Sequence, residues 1–335
     1  MKRFLFLFLL QLTGIILQAQ DPQFSQFYAN SLYLSPAFAG AQQNTRGIFT
    51  ARYQWPALDA SFFTYTASFD HYFDQYHSGV GVIFNSDLAT AANLRTTEAG
   101  IQYAFQANLS KKLVFRPGLQ ISYVARNIDY SKLTFGAQYT DDGFVGGSSN
   151  ETLLKNHVSY ADISSGGLLY SEKFWLGFSA NHMNTPNQSF YGQQSNLPAK
   201  FSFFGGMKFS FTPAWRKRYI NPDEDKSITP TVLYKMQGKS DQLDIGLYAR
   251  YNHLVVGSWY RGIPIKLYKP ERTNNDALIF LIGFVHKGLN IGYSYDLTIS
   301  KLTMASGGSH EITVIYSIAH KPKKKIMKRL PCPDF

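Results

Sequence analysis

The 335-residue chain is 16% aromatic and only 16% charged, with a formal net charge of +11. Soluble domains average about 25% charged residues, and a chain this rich in apolar side chains is not disordered. A membrane helix needs about 20 consecutive apolar residues. The one dense apolar run is shorter and lies at the extreme N-terminus, so a bundle of membrane helices is excluded.

That run begins after Met1-Lys2-Arg3, extends from Phe4 to Leu10, and continues with Leu12 and Ile15 to Leu17 before Ala19. A basic start, an apolar centre and a small residue at the end predict a secretory signal peptide over residues 1–19, cleaved after Ala19. No cysteine follows the run, so a lipoprotein is not expected. The single cysteine, Cys332, excludes an intramolecular disulfide and any multi-cysteine metal site.

Residues 20–46 mix polar and aromatic side chains without a clear period. Pro22 and Pro36 interrupt regular helix or strand, and Gly40 permits an abrupt turn. We read a periplasmic or plug-like segment that either enters a lumen or packs on a rim. Its candidate partner-binding residues are Gln23, Phe24, Ser25, Gln26, Phe27, Tyr28, Asn30, Pro36 and Gly40.

Residues 47–318 alternate with period two, the signature of strands with unlike faces. Ala99, Ile101, Tyr103 and Phe105 oppose Gly100, Gln102 and Ala104. Leu289, Ile291, Tyr293, Tyr295 and Leu297 oppose Asn290, Gly292, Ser294 and Asp296. About fourteen such segments are predicted, centred near residues 51, 66, 82, 102, 120, 163, 177, 204, 232, 247, 258, 280, 293 and 314. Turn residues such as Pro186-Asn187 and Thr273-Asn274-Asn275 separate them.

The pattern predicts an all-β fold: a transmembrane antiparallel β-barrel of the outer-membrane type. One face is heavy in Phe, Tyr, Leu and Val, as a lipid band requires. Trp55, Tyr72, Phe73, Tyr130, Phe174, Trp175, Trp259, Tyr260 and Tyr268 fall near strand ends and are expected to form interfacial girdles. Arg52, Glu98, Arg116, Arg126, Lys200, Lys208, Asp244 and Arg250 fall on the other face and are expected to line the lumen. A Lys or Arg facing lipid at mid-bilayer would cost about 2–4 kcal/mol. An even strand number places both termini on the periplasmic side.

The tail, residues 319–335, holds Lys321, Lys323, Lys324, Lys325, Lys328 and Arg329 against Asp334. It is read as a basic handle outside the barrel, carrying an exposed thiol. Export makes a nucleic-acid partner unexpected. No histidine spacing suggests a metal site, no cofactor loop is present, and no catalytic residue is assigned. The pair His310-Glu311 would suit a hydrolase only with a nucleophile elbow, which is missing.

Two motifs carry a family resemblance. The first runs Gln20-Asp21-Pro22-Gln23-Phe24-Ser25-Gln26-Phe27-Tyr28, then Asn30, then Leu34-Ser35-Pro36-Ala37-Phe38-Ala39-Gly40. The second is Tyr293-Ser294-Tyr295-Asp296 with Ser306-Gly307-Gly308-Ser309-His310-Glu311-Ile312. Together they resemble the opening and closing motifs of the PorP/SprF family of type IX secretion membrane proteins. The chain departs at Ser35, where the family usually has Asn, and at Phe27, where Tyr is usual.

The resemblance implies a non-enzymatic outer-membrane barrel of Bacteroidetes that serves type IX secretion and gliding. It implies partners too: outer-membrane lipid, a secreted surface protein or its C-terminal domain, and periplasmic secretion components. Such a protein would support secretion or surface anchoring of an adhesin or other cargo. The alternative is a general pore for small solutes.

Overall fold

A computed structural model describes residues 21–133, 138–140, 143–144, 155–211, 225–269, 272–300, 304–318 and 332. Fourteen antiparallel strands close into a single barrel. They are β1 Thr45–Gln54, β2 Phe62–Phe73, β3 Ser78–Ala89, β4 Leu94–Phe105 and β5 Val114–Asn127. There follow β6 His157–Tyr170, β7 Phe174–Asn181, β8 Lys200–Met207, β9 Lys226–Gln237 and β10 Ser240–Tyr251. The last four are β11 Leu254–Lys269, β12 Arg272–His286, β13 Leu289–Thr298 and β14 Ser309–Ile318. Each predicted centre falls within one of these strands. β1 starts at Thr45, two residues before the expected barrel boundary, because Thr45 already pairs with both Ile318 and His71.

Every strand pairs with its chain neighbours, and β14 returns to β1 from Thr45↔Ile318 to Gln54↔Ser309. Closure leaves no edge, which is the condition for a sheet to survive in hydrocarbon. The connections alternate between two rims. One rim, called here the loop rim, carries, among the described residues, 55–61, 90–93, 128–133, 155–156, 182–199, 238–239, 299–300 and 304–308. The other, the turn rim, carries mostly tighter links. One of them is Lys287-Gly288, with φ of 48° and 82°, the left-handed pair of a two-residue hairpin.

Burial alternates along the strands as the sequence pattern requires. In β5 the residues with even numbers, from Arg116 to Arg126, are covered, while Leu119, Ile121 and Tyr123 face out. Phe69, Val82, Ile101, Phe203, Leu247 and Ile282 belong to the same apolar outer band. Thr50, Thr66, Gln102, Ser164, Thr231, Ser294 and Thr313 belong to the covered inner face.

Three expected girdle aromatics point inward instead. Tyr72, Trp175 and Trp259 are 6%, 4% and 2% exposed. The reason lies on neighbouring strands. A Cβ on Gly206 would sit 2.3 Å from the Trp175 ring, and one on Gly246 would sit 2.4 Å from the Trp259 ring. The inner-face glycines leave room that the indoles fill. The Trp259 ring N–H also donates to Thr231 Oγ1 at 2.9 Å. Trp55, Phe73, Tyr130, Phe174 and Tyr260 are at least partly exposed; the side chain of Tyr268 lies outside the described part.

Candidate functional site

The segment before β1 lies within the barrel. It contains one short helix, α1 Ser31–Leu34, followed by a 3₁₀ turn Pro36–Phe38. Neither is stable alone. Residues 24–32 and 34–41 are buried, and the segment's own turns and the wall share its hydrogen bonds. Ser35 caps the 3₁₀ turn by accepting from the Ala37 N–H at 3.3 Å. Serine and asparagine cap equally well, which accounts for the tolerated departure at this position.

At the turn rim the wall is glycine where the segment crosses it. A Cβ on Gly79 would lie 1.9 Å from the Ala39 carbonyl oxygen. On Gly118 it would lie 2.4 Å from the Ala37 nitrogen, and on Gly166 2.2 Å from Ser35 Oγ. Gly40 takes φ +69°, and its N–H donates to Asp70 Oδ2 at 2.7 Å. Arg46 Nε donates to the other Asp70 oxygen at 3.0 Å. Arg116 donates from Nε to the Ala37 carbonyl at 3.3 Å and from Nη2 to the Ala39 carbonyl. Gln102 Nε2 donates to the Leu32 carbonyl at 2.8 Å.

Farther along, Tyr28 stacks on Tyr248 and Trp259, with ring centroids 5.0 and 5.4 Å apart. Above it lies a buried charge network. Glu311 accepts the backbone N–H of Ser25 at 2.7 Å and of Gln26 at 2.8 Å. Arg52 donates to Asp296 at 2.8 Å and to Glu311 at 3.1 Å. Arg261 donates to Asp244 at 3.0 Å and to Asp296 at 2.8 Å. Ser25 Oγ joins them, donating to Asp296 at 2.6 Å and accepting from Arg52 and Arg261 at 2.7 and 2.9 Å. Two guanidinium groups and two backbone N–H groups thus serve three carboxylates, all at most 3% exposed.

The segment ends at the loop rim. Asp21 pairs with Lys200 Nζ at 2.5 Å and with His182 Nε2 at 2.8 Å, and its N–H donates to Gln237 Oε1 at 3.2 Å. The second ring nitrogen of His182 meets Asp162 at 2.9 Å. Burial works against charge on His182, but Asp21 and Asp162 outweigh it and hold the pKa up at about 9. Burial likewise opposes the Asp21 charge, yet Lys200 and His182 hold its carboxyl well below the usual range.

The sign of the linkage follows. The histidine's raised pKa contributes stability that is complete below its ordinary 6.5 and lost as pH rises through about 9. The Asp21 contribution is present above 3.8 and lost as pH falls through its lowered value. Hydrogen exchange of the peptide around Asp21, corrected for intrinsic rate, should therefore be slow near neutrality and speed up above about pH 9. Unchanged protection across that pH would exclude this latch.

Of the expected lumen residues, Arg52, Arg116 and Asp244 are almost fully covered on the inner face, and Arg126 nearly so. Glu98 shares that face and accepts from Asn85, Gln120 and Ser122. Lys200 is engaged by Asp21, and Lys208 pairs with Asp225 at 2.7 Å. Arg250, near the turn rim, donates to the Asn252 carbonyl.

Phe24, Ser25, Gln26, Phe27, Tyr28, Asn30, Pro36 and Gly40 are covered by the wall, leaving Gln23 as the partly exposed member of the proposed partner-binding set. His310 and Glu311 point to opposite faces: His310 meets the Tyr293 hydroxyl at 2.8 Å while Glu311 is buried within. They form no dyad. Cys332 is 1% exposed, and its N–H donates to the Ala41 carbonyl at 3.1 Å. The thiol expected on an exposed handle is therefore seated in the turn-rim mouth; the other tail residues lie outside the described part.

The chain matches the family of type IX secretion system membrane proteins PorP/SprF over residues 16–316. It belongs to that family. No curated protein matches it. Among solved structures it is similar to the Acinetobacter baumannii outer membrane protein Omp33, at 7% identity and TM-score 0.43, over 82% of this chain and 98% of that one. It is also similar to the P. putida toluene transporter TodX, at 11% identity and TM-score 0.44, over 86% and 93%. The KdgM porin covers a comparable share, 82% and 99%, at 8% identity and TM-score 0.39. With its closed sheet and apolar outer band, this PorP/SprF protein is an outer-membrane β-barrel of the type IX secretion system.

Proposed function

We propose that this PorP/SprF barrel is a non-enzymatic accessory of type IX secretion that supports export or surface anchoring of a partner protein. The supporting observation is its filled lumen. A solute pore needs a continuous wet path, whereas here residues 24–32 and 34–41 are buried and bonded to the inner wall. The buried residues of this segment act by holding the plug, and direct partner contact falls to Gln23 and the rim around it.

Deleting the gene in the producing bacterium tests this role. The expected result is loss of one or a few secreted proteins from the cell surface, restored by the wild-type gene, with uptake of small hydrophilic solutes unchanged. An unaltered surface proteome together with slowed solute entry would favour the pore instead. The set of lost proteins would name the cargo.

A further inference from the structure

We infer that the segment before β1 is threaded through the closed barrel, so that Asp21, Pro22 and Gln23 are presented at the outer mouth as an accessible surface. The path fixes this order. β1 begins at the turn rim, where Thr45 pairs with Ile318 at the end of β14. Going backwards in sequence, Gly40 touches Gly79, the second residue of β3, and Ala37 and Ala39 lie on Arg116, the third residue of β5. Gln26 then lies against Ser294 and Glu311. Asp21 finally reaches Lys200, the first residue of β8, and Gln237, the last of β9, which pair with each other at the loop rim. Meanwhile Cys332 bonds to Ala41 at the opposite mouth. The first described residue and Cys332 thus occupy different ends of the barrel, unlike the shared side expected from strand number alone.

Outer-membrane barrels place longer loops outside and shorter turns in the periplasm. The loop rim is then the outer one. The Asp21 latch on Lys200 and His182 then holds the first residues in place.

Impermeant maleimide labelling of intact cells tests the inference, using Gln23→Cys in a Cys332→Ser background. Lys239→Cys, exposed at the loop rim, and Ser110→Cys, exposed at the turn rim, are the references. Gln23→Cys should label in intact cells, as Lys239→Cys does, while Ser110→Cys labels only after permeabilisation. Labelling of Gln23→Cys only after permeabilisation, or in neither state while Lys239→Cys reacts, would overturn it. Because Cys332 is buried, an epitope inserted between Gln20 and Asp21 of the otherwise natural chain gives a second reading. Antibody should bind it on intact cells; binding confined to lysed cells contradicts the threading.

Discussion

Arg52→Met should be among the most damaging single substitutions in the lumen, lowering stability by about 3–5 kcal/mol. Its guanidinium touches Asp296, Glu311 and Ser25 at once, and its side chain is 2% exposed. Methionine fills similar space without the charge. Removing the cation leaves Arg261 to serve Asp244 and Asp296, and leaves Glu311 with the backbone N–H groups of Ser25 and Gln26 but no cation in contact. A buried charge that loses its partner keeps its desolvation cost while losing the compensating attraction. The shift would be read as a lower urea midpoint in detergent micelles. Adding Glu311→Gln removes one orphaned carboxylate, so the double variant should be more stable than the sum of the single losses. Strict additivity would mean that the two side chains do not share a network.

Gly79→Leu should produce the second large effect, and of a different kind. The new Cβ would lie 1.9 Å from the Ala39 carbonyl oxygen, so residues near Ala39 and the wall cannot both keep their places. Residue 79 needs no positive φ, and leucine suits a strand. The barrel should therefore fold while the segment is displaced from its turn-rim half. Limited proteolysis with chymotrypsin should then cut after Phe38, which is 1% exposed in the parent. Gly118→Leu, 2.4 Å from the Ala37 nitrogen, should act alike. A parent-like protease pattern in both would mean that the segment adjusts around a wall side chain.

The wall was readable from residue order because one simple rule governs it. Period-two alternation survives in β4, β5, β10 and β13, and it places Arg52, Glu98, Arg116 and Asp244 inside without knowledge of any partner. The contents of the lumen obey no such rule. Ser25 meets Asp296 and Arg261 across more than two hundred residues of chain, and nothing near Ser25 signals them. Trp175 is the second residue of β7, where a girdle residue would sit, and Trp259 lies well inside β11, yet the glycines that admit them lie on β8 and β10. Cross-strand space of that kind depends on register, which alternation alone does not set. The route of the first residues was hidden for the same reason: the segment has no period, and its direction is fixed only by which wall residues it touches.

Current through single copies of the purified, full-length protein in planar bilayers tests the plugged lumen most directly. The intact barrel should show no steady open level, because residues 24–32 and 34–41 fill it. A variant lacking residues 21–40 should show discrete, sustained steps under the same conditions. A large and steady conductance from the intact protein would contradict the filled lumen on which the accessory role rests.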